Sequence, residues 1–253
     1  ILTPFHLHDE DRKQGLSRAI KSIQSQTFSD YEHILVDDGS VIPVEITLDS
    51  HTRLYSIPHQ ERIIALNHAF EHSSGDWICW LDSDDALLQI HLSVLAEAIN
   101  AWPEYKLFNF GAIIVNNDYR ANIWNPFEPA RAEFGHESFG GGTIMAGTFI
   151  YHRSVVEELG HFPNHWNPWD FSLQAQAEFP EIKPYFTVVH PDHPEGYPKE
   201  LGNPWGQDYY LFYKYTRRYH SKVLPTHLYI NYRRGERIGW SKDKEKESSQ
   251  ENS

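Results

Sequence analysis

The stretch that most constrains the fold is Trp77-Ile78-Cys79-Trp80-Leu81, five apolar residues running straight into Asp82-Ser83-Asp84-Asp85. Aromatic and β-branched content in so short a run predicts a buried strand. Three carboxylates at the strand's carboxyl end repel one another and gain nothing from packing. A divalent cation relieves that repulsion, and hard oxygen donors on an open loop suit Mg²⁺ or Mn²⁺ that also holds a phosphate. The competing reading is an acidic turn that caps the next helix, because Asp favours helix N-termini. A second acidic strand end upstream, His33-Ile34-Leu35-Val36 followed by Asp37-Asp38-Gly39-Ser40, favours a site.

The segments around these two strand ends alternate. Ile1-Leu2 before Thr3-Pro4 predicts a first strand. Leu16, Ala19, Ile20 and Ile23 recur at helical spacing, as do Ile63, Leu66 and Phe70, and then Leu92, Leu95, Ile99 and Trp102, closed by Pro103. A strand over 53–57 stops at Pro58. Strand–helix alternation predicts an α/β fold with a doubly wound, mostly parallel central sheet flanked by helices. Such sheets bind ligands outside the carboxyl ends of their strands, where both acidic clusters fall.

The second half changes character. Strands are expected over 108–115 and 123–127, with a turn at 116–118. A strand over 143–151 follows three glycines, and Ser154 is the expected cap of a short helix ending at Leu159-Gly160. From 161 to 205 the chain is rich in Pro, Trp, His and Asn and reads as long functional loops. A helix over 208–219 and a strand over 222–232 precede a polar, disordered tail at 241–253.

Charge narrows the function. Lys and Arg number 22 against 35 Asp and Glu, a formal net charge of −13, which argues against a nucleic-acid partner. An anionic ligand then needs a metal or local positive groups. The single cysteine, Cys79, excludes a disulfide framework and reads as a core residue. No run approaches a membrane span, and no secretory signal is visible. Neither the phosphate-loop pattern nor G-x-G-x-x-G is present. Among the 16 histidines, His161, His165, His190 and His193 lack zinc-ligand spacing and read as surface residues.

The stretch from Gln26 to Ser40, then Ala65-Leu66-Asn67, Ser74-Gly75-Asp76-Trp77-Ile78 and Leu81-Asp82-Ser83-Asp84-Asp85, in that order and spacing, resembles the family 2 glycosyltransferases of GT-A fold. The resemblance covers roughly the first hundred residues, resumes at 145–162 and again at Trp205-Gly206-Gln207-Asp208, and leaves most of 161–205 uncovered. It implies a metal-dependent, inverting transferase using a nucleotide-sugar donor, UDP by family frequency, and a saccharide or glycoconjugate acceptor in polysaccharide or glycoconjugate biosynthesis. It also implies one domain over 1–240, with a nucleotide-sugar half at 1–102 and an acceptor half at 103–240, in a cytoplasmic protein, free or peripheral at the membrane surface.

The resemblance also implies roles. Thr3, Pro4 and Phe5 would line the nucleotide base, Asp38 would accept from the base ring N–H, and Asp37 would support that turn. Arg62 would face the nucleotide or diphosphate, with a surface helix Arg as the alternative. Asp82 would approach the ribose and Asp84 would bind the metal. Asp85 is either a supporting partner or the cap of the next helix. A positioned carboxylate must take the acceptor's proton. Asp208 is the candidate, although the family's Glu-Asp pair is Gln207-Asp208 here, and Asp170 is its rival. Trp166, Trp169 and Trp205 are candidate sugar-stacking rings, Trp169 and Trp205 foremost. The late metal-ligand His of some relatives has no counterpart in Tyr232-Arg233-Arg234-Gly235-Glu236, leaving Glu236 or water. Arg233, Arg234 and Arg237 would screen the diphosphate or form a solvated turn. Two rivals stand beside this reading: a noncatalytic carbohydrate- or nucleotide-binding relative, and a phosphatase of the haloacid dehalogenase type, whose nucleophile belongs on the first strand instead.

Overall fold

The computed structural model describes residues 1–60, 62–116, 120–124, 146–162, 211, 214–216 and 218–232. Three parallel strands open the chain: β1 (Leu2–Phe5), β2 (His33–Asp38) and β3 (Thr52–Ile57), side by side in that order. Helix α1 (Glu10–Gln24) connects the first two. Asp9 caps it by accepting from the Arg12 N–H at 2.8 Å, and Glu10 and Asp11 in its first turn suit the helix dipole. Its buried stripe is Leu16, Ala19, Ile20 and Ile23, as the spacing predicts. Helix α2 (Arg62–Glu71) leads to β4 (Trp77–Cys79), which continues to a single parallel pairing of Trp80 with Leu2. That pairing puts β4 beside β1, on the flank away from β2.

The sheet continues with a different strand sense. The short β5 (Ala86–Leu87) and α3 (His91–Ala101) precede β6 (Leu107–Val115) and β7 (Ala121–Trp124). A short 3₁₀ turn, Ala146–Thr148, leads into β8 (Phe149–His152), α4 (Arg153–Leu159) and finally β9 (Ser221–Tyr232). β8 lies antiparallel between β4 and β6, while β9 runs parallel to β6 and antiparallel to β5. Pro225 is tolerated inside β9 because the register with β6 shifts there, so no ladder N–H is lost.

Side chains alternate between two apolar layers, as strand geometry requires. Ile34, Val36, Ile78, Trp80, Leu107 and Tyr151 meet α2 and α4 on one face. Cys79, Leu81, Phe108 and Ile150 meet α1 and α3 on the other. Helices on both faces make the sheet doubly wound, and the expected fold class holds.

Two local expectations need correction. The strand expected over 143–151 begins only at Phe149, because Ala146–Thr148 coil as a 3₁₀ turn, and 143–145 lie outside the described residues. Ser154 does not cap α4. His152 does, its Nδ1 accepting from the Ser154 N–H at 3.2 Å. Among the described residues no helix is long and apolar enough to cross a membrane.

Candidate donor-binding site

The acidic clusters share one edge of the sheet. Leu2 pairs with Ile34 on one side and Trp80 on the other. The Leu81 N–H donates to the Leu2 carbonyl at 3.0 Å, so Asp82 follows directly on that pairing, and on the other side of β1 Phe5 pairs with Asp37. Neighbouring strands lie about 4.8 Å apart, so the clusters are separated by little more than the width of β1.

At the β2 end the loop is built tightly. Asp37 accepts from the Ser40 N–H at 2.8 Å, which closes the turn. Asp38 is buried, its carboxylate accepting from the Gln60 N–H at 2.8 Å and from His59 Nδ1 at 2.9 Å. His6 donates to the Asp38 carbonyl at 2.8 Å, and its ring lies 4.4 Å from that of His59. Gly39 between them has φ +67°, and a Cβ there would fall 2.6 Å from the His59 nitrogen, so no other residue fits. Thr3 and Phe5 are both buried. The Thr52 hydroxyl donates to Asp49, so it accepts from His33 Nδ1–H, and His33 Nε2 accepts from the Thr3 hydroxyl at 3.1 Å. The Thr3 hydroxyl thus serves the sheet interior.

At the β4 end the three carboxylates have different surroundings. Asp82 is bonded by Arg62 from the first turn of α2, through Nη2 at 2.8 Å and Nε at 3.2 Å. Asp85 is 1% exposed and accepts from the Tyr229 hydroxyl at 2.7 Å, from Asn231 Nδ2 at 2.9 Å and from the Tyr232 N–H at 2.9 Å. The Tyr229 hydroxyl also accepts from the Asp82 N–H at 3.3 Å. Burial, then repulsion from Asp82 and Asp84, pushes the Asp85 carboxyl up to about 7. Asp85 therefore does not cap α3, whose N-cap is Ile90. It supports the loop. The Asp84 carbonyl is held by Arg18 at 2.7 Å.

Trp80 is anchored from behind. Its Nε1–H donates to the Tyr151 hydroxyl at 2.8 Å, and that hydroxyl donates to His161 Nε2 at 2.9 Å. His161 Nδ1–H then donates to Asn67 Oδ1 at 2.6 Å, and the Asn67 amide donates to the Phe162 carbonyl at 2.9 Å. Every proton in this chain has one direction, which requires a neutral imidazole. Desolvation pushes His161 down to about 3. The expectation that His161 is a surface residue is thus overturned: it joins α2 to β4 and β8.

Among the described residues no three His, Cys, Asp or Glu side chains cluster as metal ligands. The donor chemistry still fits Mg²⁺ or Mn²⁺, which bind through one or two carboxylates when phosphate oxygens complete the shell. Asp208, Asp170, Trp166, Trp169, Trp205, His165, His190, His193, Glu236, Arg233, Arg234 and Arg237 lie outside the described residues. Sequence reasoning missed Arg18, His59, Tyr229 and Asn231. Only Tyr229 and Asn231 carried a signal, as alternate residues of one predicted strand.

The family model for glycosyl transferase family 2 matches residues 3–160, a span that contains both acidic strand ends, α2 and β8. The chain belongs to glycosyl transferase family 2. No curated protein matches it in sequence. Solved structures share its fold. TarS 1-349 of S. aureus in complex with UDP-GlcNAc aligns at 13% identity and a TM-score of 0.54, covering 95% of this chain and 60% of that one. The same TarS fragment with UDP aligns at 13% identity and 0.51, covering 92% and 59%. Longer TarS aligns at 13% identity and 0.53, covering 92% of this chain and 36% of that one. The family 2 chain described here thus spans less than two thirds of the TarS chains, and the likeness establishes a GT-A fold.

Proposed function

We propose that this chain moves a glycosyl group from a nucleotide-diphosphate sugar, with UDP as the nucleotide, to an acceptor hydroxyl in polysaccharide or glycoconjugate synthesis. The observation that carries the reading is the shared edge: Asp38 at one strand end, Asp82 to Asp85 at another, and Arg62 of α2 bonded to Asp82. Asp38, fixed by His59 and Gln60, keeps lone-pair directions open to a base N–H. Pro4 and Phe5 flank that position on β1. Asp82 exchanges its Arg62 partner for ribose hydroxyls, and the freed guanidinium turns to the diphosphate, two of whose oxygens its planar fork of donors can hold.

A divalent cation held by Asp84 would neutralise charge on the departing diphosphate. The acceptor hydroxyl forms its bond to the anomeric carbon opposite the leaving oxygen, the bond to that oxygen breaks, and the anomeric centre inverts. The hydroxyl proton passes to Asp208, with Asp170 as the alternative base. Trp169 and Trp205 would stack on the acceptor sugar. The TarS complexes with UDP-GlcNAc and UDP lend support to the choice of nucleotide.

The test is a thermal-shift panel of nucleotide sugars with and without Mn²⁺, followed by UDP release. A ligand that binds only the native state raises Tm. A UDP-sugar with Mn²⁺ should raise it, and Asp84→Asn should abolish the Mn²⁺-dependent part of the shift. An equal shift in Asp84→Asn overturns the assignment of that residue. The absence of any nucleotide-dependent shift overturns the reading as a whole.

A further inference from the structure

One face of α1 runs along the main chain that follows the acidic strand end. Arg18 Nη2 donates to the Asp84 carbonyl at 2.7 Å, Ser22 Oγ accepts from the Leu87 N–H at 3.1 Å, and Gln26 Nε2 donates to the Leu88 carbonyl at 2.8 Å. Gln26 also accepts from the Leu92 N–H at 3.0 Å. The spacing of four between these residues puts them on one stripe, continued two residues past the helix end. Arg18 differs from the other two. Its guanidinium lies 3.8 Å over the Tyr232 ring, and its Nε is buried with no hydrogen-bond partner among the described residues. Tyr232 in turn donates its N–H to Asp85. One arginine therefore fixes the main chain at Asp84 while resting on the residue that fixes Asp85.

We propose that Arg18 is a positioning residue for the Asp84 carboxylate. Stacking on Tyr232 removes the guanidinium's rotational freedom, so the bond to the Asp84 carbonyl sets where that residue's side chain leaves the loop. The positive charge sits against a loop of three carboxylates, which lowers their mutual repulsion before any ligand arrives. The functional half of the proposal rests on the reading of Asp84 as the cation ligand, and the geometric half does not.

The experiment compares the intact chain with Arg18→Met, Arg18→Lys and Tyr232→Leu. Hydrogen exchange at the amides of 83–87 reads the loop directly. Mn²⁺ titration in the presence of UDP reads its use. Arg18→Met should exchange there about tenfold faster, as expected for one lost charge-assisted bond, with exchange in β1 and β2 unchanged. The Mn²⁺ half-saturation point should rise several-fold, whereas kcat at saturating Mn²⁺ changes little. Arg18→Lys should recover part of the protection by restoring the donor. Tyr232→Leu should loosen the loop as Arg18→Met does and keep the main-chain bond to Asp85. A folded Arg18→Met protein with unchanged exchange at 83–87 overturns the proposal. Faster exchange in Arg18→Met, together with UDP binding that ignores Mn²⁺ in the parent chain, supports the clamp and overturns the cation reading of Asp84.

Discussion

Acid should destabilise this protein well above the pH at which ordinary carboxylates titrate. His33 and His91 are fully buried, and His161 has both ring nitrogens in hydrogen bonds. Desolvation holds His161 at about 3, His91 at about 4, and His33 well below its ordinary value. In the unfolded chain all three titrate near 6.5. Below that pH the unfolded state takes up three protons that the native state refuses, so stability falls as pH falls. His68, partly exposed beside His72 and also lowered, adds to the same side. Asp85 opposes it. With a native value of about 7, it holds a proton that the unfolded chain has released, and stability from this one group rises as pH falls towards 4. Each unmatched proton is worth roughly 1.4 kcal/mol per pH unit, so three against one leaves roughly 3 kcal/mol per unit around pH 5. Between pH 6.5, where the unfolded imidazoles are half protonated, and pH 5 the loss is about 3 kcal/mol, a large part of the 5–15 kcal/mol typical of a domain. Urea unfolding followed by fluorescence of the eight tryptophans measures it. His161→Gln, which can still accept from Tyr151 and donate to Asn67, should flatten the slope by about one proton. A stability that stays level from pH 6.5 to 5 refutes the reasoning.

Two further predictions concern the supports of the site. A Cβ on Gly147 would lie 1.9 Å from the Tyr229 ring, so Gly147→Ala should drive that ring out of its place between Asp82 and Asp85; nucleotide affinity should drop more than Tm, as titration with UDP and Mn²⁺ alongside calorimetry will show. Tyr151→Phe leaves the Trp80 N–H and His161 Nε2 unpaired in the interior, and should cost about 2–6 kcal/mol in chemical unfolding, since each such group costs about 1–3 kcal/mol.

What was legible in the sequence follows the range of the forces involved. The first hundred residues fold as their periodicity says, because Leu16 to Ile23 and Ile63 to Leu66 bury one helix face each and Ile34 to Val36 fill both sheet faces. That Asp37, Asp38 and Asp82 fall at one edge was also readable, since parallel strands carry their carboxyl ends to the same edge of the sheet. The misses are of another kind. Serine is the better cap on average, but His152 lies one residue ahead of the helix, where its ring can reach the Ser154 N–H. His161 reads as a surface residue until Tyr151 and Asn67, which offer one donor and one acceptor respectively, are brought to its two nitrogens. Arg18 and Tyr229 reach the acidic loop from sites 66 and 144 residues from their partners Asp84 and Asp85. No local pattern encodes such contacts.

Like charges adjacent in sequence need relief, and the argument from Asp82, Asp84 and Asp85 had that sign right. Much of the relief is nonetheless built into the protein itself. Arg62 neutralises Asp82, Tyr229, Asn231 and the Tyr232 N–H solvate Asp85, and Arg18 stands against the Asp84 main chain. Each restraint comes from a different element, α2, β9 and α1, so the loop is held in place before any ligand reaches it. Preorganisation of this kind reduces the ordering that binding must otherwise bring about. It also divides the labour: the Arg62–Asp82 pair is partly exposed and can exchange partners with a ligand, whereas the Asp85 cluster is buried and cannot. A donor should therefore change the surroundings of Asp82 and leave those of Asp85 intact.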